Sequence, residues 1–315
     1  MRYLEPAGTV LRLPVIGQGT WGFGEDPRRH SAEVGALREG FAQGMTLVDT
    51  AEFYGAGESE RVVGDAVADC REQVFLIAKI WPNHAEPKAM RDALANSLRR
   101  LRTDHVDVCL LHWPTKSVPL REITRGLGAL REAGLARDVG VSNFPLAMAG
   151  EACAALDRQE GRESRPVFFH ELPYSLADRR VELSLLGQVR RQEGVLLAYS
   201  PLGHGRLLRG RGQGMGALED IAARHGVTPA QVALAFLAET EGVVVLAKAA
   251  SAAHVRENAA CGDLRLAADD MRHLRSVFAS PAREIGFGLP PYEAFFSMVL
   301  GGMNLMQRMR GRHQE

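Results

Sequence analysis

Eight short apolar runs rich in β-formers begin near Ile16, Thr46, Val74, Asp107, Arg137, Val167, Val195 and Val243. Each is followed by a helix-like segment, and this alternation constrains the fold more than any other feature. The intervals are 30, 28, 33, 30, 30, 28 and 48 residues. Repeats of that length imply parallel strands joined by right-handed crossovers. Eight of them predict an α/β fold of the closed (β/α)8, or TIM, barrel type. A chain of 315 residues holds one such barrel, which takes roughly 250 residues, with some to spare. No Pro/Ser-rich linker or shift of composition divides it. The expected organisation is therefore a single domain, with the barrel over 1–280 and a C-terminal loop and helix, 281–315, as its extension.

Helix signals fill the intervals. Ser31 is placed to cap a helix over 33–43, and Glu58 with Ser59 opens one over 58–69 that turns Val62, Val63, Ala66 and Val67 inward. Others are predicted over 87–100, 120–133, 145–156 and 180–192. The 48-residue interval holds two, 217–225 and 229–239, the second capped by Thr228 with Pro229 in its first turn.

In such a barrel, chemistry collects where strands end and βα loops begin. The polar residues at those places are Thr20 and Trp21, Asp49 with Tyr54 just beyond, Lys79, His112, Ser142 and Asn143, Glu171, Tyr199 and Ser200, and Lys248. They converge only if the barrel closes. Four make chemical sense together. A phenol titrates near 10 and is a poor acid at neutral pH unless something stabilises its anion. Lys79 supplies a cation for this, Asp49 pairs with Lys79 and holds it, and His112 can hydrogen-bond a substrate oxygen. Tyr54 then becomes a general acid. Hydride addition to a carbonyl needs such an acid, because negative charge develops on oxygen as carbon accepts the hydride.

The segments bearing these residues resemble the aldo-keto reductases. They are 47–55 around Asp49 and Tyr54, 77–80 around Lys79, 98–114 ending in Leu110-Leu111-His112-Trp113-Pro114, Gly140-Val141-Ser142-Asn143-Phe144 and Ala198-Tyr199-Ser200-Pro201-Leu202-Gly203. The resemblance runs from about residue 13 to about residue 274, and is nearest to bacterial reductases of methylglyoxal-like and 2-oxo aldehydes. It implies a (β/α)8 barrel with a catalytic set of Tyr54, Lys79, Asp49 and His112. It also implies a nicotinamide cofactor, NADPH before NADH, bound extended and without a Rossmann domain. Ser142 and Asn143 would hold the nicotinamide carboxamide, Tyr199 would stack on its ring, and Lys248 would meet the adenosine phosphate. Glu257 and Asn258 match adenine-contacting positions, and Thr20, Trp21, Ser200, Leu202 and His254 complete the expected cofactor contacts. Two residues depart from the pattern. Glu171, an expected cofactor contact, stands where the family usually has Gln, whose amide bonds the nicotinamide carboxamide, and a carboxylate can accept but cannot donate unless protonated. His254 stands where it often has Arg, which weakens the grip on an adenosine phosphate.

Other readings stand beside these. Gly17-Gln18-Gly19-Thr20-Trp21-Gly22 satisfies G-x-G-x-x-G, and Asp49 lies in the acidic position a Rossmann fold would use. Pro27 and a polar stretch delay the next helix to about Ser31, however, so no helix N-terminus meets a pyrophosphate there. The glycines are expected to form a tight loop under the cofactor. Trp21, Trp81 and Trp113 follow strand ends and are expected to wall an apolar carbonyl pocket. The loop 203–216, with six glycines and Arg206, Arg209 and Arg211, reads equally as a mobile surface loop or as a belt over the cofactor pyrophosphate. In the tail, a loop near Phe287 and Leu289 is expected to shape the pocket. A Met-rich helix over 293–310 would follow it.

Composition narrows the partners. The 38 basic and 38 acidic residues cancel, so no broad field attracts nucleic acid or anionic membranes. No apolar stretch approaches the roughly 20 residues of a membrane span, and the first residues lack a signal-like apolar core. Cys70, Cys109, Cys153 and Cys261 have no metal or redox spacing and are read as reduced thiols, Cys109 buried. The expected protein is cytoplasmic, a monomer or weak homo-oligomer that binds a small carbonyl compound and no metal. Two rivals stand beside the reductase: a nicotinamide-binding regulatory subunit, and a Schiff-base aldolase using Lys79. The second leaves Ser142, Asn143 and Tyr199 unexplained.

Overall fold

The computed structural model describes residues 1–157, 167–210 and 212–278. All belong to one compact unit, Met1–Glu284. The expected tail loop and its helix over 293–310 lie outside the described residues, as does Arg211.

Eight parallel strands close on themselves: β3 (Ile16–Gly19), β4 (Leu47–Asp49), β5 (Phe75–Ile80), β6 (Val106–Leu111), β7 (Ala136–Ser142), β8 (Phe169–Pro173), β9 (Val195–Tyr199) and β10 (Val243–Ala247). They follow chain order around the barrel, and β10 pairs with both β9 and β3. The strands begin within about two residues of the predicted positions. Between them run α1 (His30–Ala42), α2 (Glu58–Val67), α3 (Pro87–Leu101), α4 (Leu120–Glu132), α5 (Leu146–Asp157) and α6 (Leu185–Arg191). The long interval carries α7 (Gln213–His225) and α8 (Pro229–Ala238), and α9 (Ala252–Ala260) and α10 (Ala268–Val277) follow β10. Thr228 caps α8 as expected, in a reciprocal capping box with Gln231.

Each barrel strand is buried on both faces, and its two-residue period separates an inner row from an outer one. Leu47, Ile77, Val108, Leu110, Phe169, Val195, Leu197, Val244 and Leu246 fill the interior. The alternate residues, among them Val48, Leu76, Ala78, Cys109 and Val141, pack outward on the helices. Burying one such Leu or Ile contributes about 1.5–3 kcal/mol. Gly140 on β7 is required by close approach, since a Cβ there would lie 2.0 Å from the Phe169 carbonyl oxygen of β8.

Several local expectations are corrected. Ser31 caps nothing, because α1 already begins at His30. A 3-10 turn, Pro27–Arg29, leads into it, capped by Asp26, whose side chain accepts from the Arg28 N–H at 3.1 Å. Gly17 and Gly19 lie within β3, not in a loop, and Gly17 makes room for Leu47, whose Cδ2 would lie 2.6 Å from a Cβ. The segment 180–192 is broken at Ser184 into a 3-10 turn, Arg180–Leu183, and α6. Ten of the fourteen residues of the glycine-rich 203–216 lie in helical elements, with 3-10 turns at Gly203–Gly205 and Leu207–Arg209 and α7 starting at Gln213. An antiparallel pair of two-residue strands, β1 (Tyr3–Leu4) and β2 (Leu13–Pro14), precedes the barrel and is absent from the sequence expectation. None of the four cysteines forms a disulfide, and Cys109 is buried. Among the described residues, no helix is long and apolar enough to cross a membrane, and no group of three His, Cys, Asp or Glu is placed to hold a metal.

Candidate active site

Strand parity builds the site. Leu47, Ile77, Leu110, Phe169 and Leu197 face the interior. Two residues further along the same chains stand Asp49, Lys79, His112, Glu171 and Tyr199. A polar layer therefore lies directly on the apolar one, at the ends where chemistry was expected.

Lys79 is at its centre, fully buried. Its Nζ donates to Asp49 Oδ1 in a short contact, and Glu171 Oε2 lies 3.0 Å away. Nζ also stands 5.2 Å from the centre of the Tyr54 ring. The His112 ring meets Tyr54 edge-on at 5.6 Å. The four residues expected to act together are thus brought together, and Glu171 joins them. Behind Asp49, the Thr20 hydroxyl donates to the Asp49 carbonyl at 2.9 Å and receives from Ser59 at 2.8 Å. Thr20 supports the strand end from a fully buried position.

Burial dominates the electrostatics. It works against the Lys79 ammonium, but Asp49 and Glu171 outweigh it and hold the pKa above the ordinary value. A lysine held protonated this firmly is the wrong nucleophile for a Schiff base, which needs a free amine. The His112 pKa is pushed well below the usual range by burial and then by Lys79, so the ring is a neutral imidazole. Its Nδ1 is buried and has no partner within the protein. Tyr54 departs from expectation. Burial raises its pKa, Lys79 opposes this, and Asp49 and Glu171 add to the rise. The cation acts on the phenol in the expected direction without prevailing.

An aromatic wall stands beside the tetrad. Trp21, 54% exposed, meets Tyr54 edge-on at 5.0 Å and stacks on Phe53 at 6.2 Å. Phe53 in turn stacks on Trp81 at 3.9 Å, and Trp81 meets His112 edge-on at 5.2 Å. Trp113 is half-buried past the end of β6. Sequence reasoning missed Phe53, although it lies in the Tyr54 segment. It also missed Glu52, whose Oε1 accepts from the Trp81 N–H at 2.7 Å and contacts His84 Nδ1 at 2.9 Å. That carboxylate ties the Tyr54 turn to the turn after β5.

On the far side, Asn143 adopts φ 63°, a left-handed conformation that Asn tolerates better than most residues. Its amide donates to the His112 carbonyl at 3.1 Å and to Ser142 Oγ at 3.0 Å, and accepts from the Tyr199 hydroxyl at 2.8 Å. Ser200 Oγ lies 3.2 Å from His204 Nε2, and Leu202 is half-buried in the same turn. Lys248, exposed at the end of β10, has its Nζ 5.4 Å from the centre of the Phe23 ring. The remaining expected contacts lie on α9. His254 Nδ1 is 3.0 Å from Glu257 Oε2, the Glu257 carbonyl accepts from Gln231, and Asn258 is half-buried.

An eight-stranded barrel with Asp, Lys, Tyr and His converging at its strand ends defines the class of protein, and comparison of the sequence agrees. Residues 15–279 match the model of the aldo/keto reductase family, so the chain belongs to that family. It is 36% identical over 279 residues to methylglyoxal reductase YeaE of Escherichia coli K12, covering 86% of this chain and 93% of that one. Methylglyoxal reductase DkgB of Escherichia coli O157:H7 is 27% identical over 293 residues, covering 89% and 99%. An aldo/keto reductase of Klebsiella pneumoniae, solved with NADP and acetate, superposes with a TM-score of 0.82 at 35% identity, covering 92% of this chain and all of that one.

Proposed function

We propose that this protein reduces the carbonyl of small aldehydes or ketones with NADPH, 2-oxo aldehydes of the methylglyoxal class foremost. The observation that carries this reading is the meeting of the Tyr54 phenol, the neutral His112 ring and the Lys79 ammonium beside an aromatic wall. The kinship with methylglyoxal reductases and with an NADP-bound reductase supports it.

The residues present fit such a cofactor. His112 has a buried nitrogen, Nδ1, without a partner within the protein, and exposed Lys248, Arg206 and Arg209 supply cations for phosphate groups. Ser142, Asn143, Tyr199, Ser200 and Leu202 would line the nicotinamide end, with Lys248, His254, Glu257 and Asn258 at the adenosine end. When bound, NADPH supplies the hydride for the carbonyl carbon. The chain's own residues do the rest. Trp21, Phe53 and Trp81 hold the apolar part of the substrate and exclude water. Neutral His112 orients the carbonyl oxygen, and Tyr54 gives it the phenolic proton. Lys79, fixed by Asp49, stabilises the phenolate left behind.

Following the near-ultraviolet absorbance of NADPH with methylglyoxal and a panel of other aldehydes tests the proposal. Tight binding of NADPH without turnover of any carbonyl would select the regulatory-subunit reading instead. A kcat/KM ratio favouring NADH would overturn the choice of cofactor.

A further inference from the structure

Lys79 carries one positive charge and faces two carboxylates, in a layer without solvent. Asp49, from β4, makes the closer contact with Nζ, while Glu171, from β8, lies 3.0 Å away. Both carboxyl groups are almost wholly buried, with Asp49 at 3% and Glu171 at 2% exposure. The groups that bear on Glu171 are Lys79 and Asp49 across the barrel. The Tyr54 phenol, from the turn after β4, feels Glu171 in return, and neutral His112 on β6 feels the same ammonium. Tyr199, on the neighbouring β9, directs its hydroxyl to Asn143. Among the described residues, no other charged group bears on Glu171. Two like charges sharing one counter-ion in a dry site cannot both stay ionised cheaply, so the cluster keeps a proton. Burial raises the Asp49 carboxyl as well, with Lys79 opposing, but Asp49 makes the closer contact with the ammonium, and this leaves the proton to Glu171.

We propose that Glu171 is a positioning residue for proton delivery: protonated, it leaves Lys79 with one counter-charge, free to stabilise the Tyr54 phenolate, and on losing its proton it switches that acid off. This rests on the reductase reading and adds to it. Burial, first, and the Asp49 charge, second, push the Glu171 carboxyl up to about 8, with Lys79 opposing. Below that pH the Asp49–Lys79–Glu171 cluster is neutral. Above it the cluster carries a negative charge facing the phenol, and phenolate formation costs more. A neutral carboxyl also both donates and accepts, as the Gln expected at this position does.

Two measurements test this. The first is the pH profile of kcat for methylglyoxal reduction at saturating NADPH. Above about pH 8, wild-type kcat should fall by up to about tenfold per pH unit, as expected for loss of one required proton. Glu171→Gln, neutral at every pH, should lose this fall until a much higher pH. Glu171→Met, also neutral, serves if the Gln variant folds poorly. The second is infrared difference spectroscopy of the protein without substrate. A protonated-carboxyl band should be present at neutral pH, titrate away near pH 8 and be missing from Glu171→Gln. An identical alkaline fall in both proteins, or no such band, overturns the inference. A wild-type protein that shows the band yet reduces no carbonyl overturns the reductase reading and leaves the protonation state of Glu171 standing.

Discussion

Ion clusters stand near both ends of the barrel strands, and each inverts the other. Near the strand starts, one carboxylate, Asp107, lies between two cations, Arg71 and Arg137, each at 3.0 Å. Its Oδ2 also accepts from the Leu76 N–H at 2.8 Å. Both oxygens have donors, and Arg137 is 57% exposed at its side chain, so water shares the charge. At the strand ends, one cation lies between two carboxylates, and its side chain is fully buried. The first arrangement has donors to spare and nothing to do except hold β5, β6 and β7 in place. The second is short of one positive charge, and that shortage makes its protons movable. Charge pairing alone does not mark an active site; an unbalanced, sealed pairing does.

The largest effect should come from the sealed end. Tyr54→Phe should lower kcat by about 100-fold or more, as for loss of a positioned acid, while NADPH binding measured by fluorescence stays near wild type. Lys79→Met should be severely impaired as well. Near-normal turnover in either variant would break the contrast. The open end should answer in stability alone. Asp107→Ala strands the Leu76 N–H and should cost about 1–3 kcal/mol in urea denaturation with kcat unchanged. A fall in kcat without loss of stability would show that both ends serve chemistry.

His170 sharpens the comparison from the outer face of β8, next to Glu171. Burial drives its pKa down from 6.5 to about 3, and its Nε2 has no partner within the protein. The unfolded chain takes up this proton below about 6.5 while the folded chain resists until about 3, so acidification favours unfolding through that window. The contribution is about 1 kcal/mol lost by pH 6 and at most about 1.4 kcal/mol per further pH unit. His170→Asn should flatten the dependence of Tm on pH, and an unchanged slope would refute it. The smallest effect lies outside both clusters. His254 is occupied by Glu257, so His254→Arg should raise the preference for NADPH over NADH only a few-fold, read as a ratio of kcat/KM.

Much of this was legible in the sequence because it depends on local periodicity. Strand starts such as Val195 and Val243, and the Thr228 cap, follow from patterns of two to four residues. Asp26-Pro27 is a legible cap signal that competes with Ser31 and wins. The hairpin of Tyr3–Leu4 and Leu13–Pro14 is too short to show any alternation. The break at Ser184 has no Gly or Pro to announce it. The approach of Glu171 to Lys79 was hidden for a different reason. Parity turns each residue inward, but only strand register around a closed barrel sets which inward residues meet. Glu171 therefore reads from sequence as a departure near the cofactor, whereas the fold makes it a neighbour of the acid.

Trp21, Phe53 and Trp81 stand on turns after β3, β4 and β5, whereas Asp49, Lys79 and Glu171 are built into the strands. On the proposed reading, selectivity and reactivity are thus separately heritable. Turns tolerate substitution and changes of length, while a strand residue cannot shift without breaking two ladders. A descendant of this protein can exchange its stacked rings and accept a differently shaped carbonyl, yet inherit its proton chemistry intact. For the same reason, directed evolution for new substrates should find its gains at these three aromatic positions and leave the strand ends untouched.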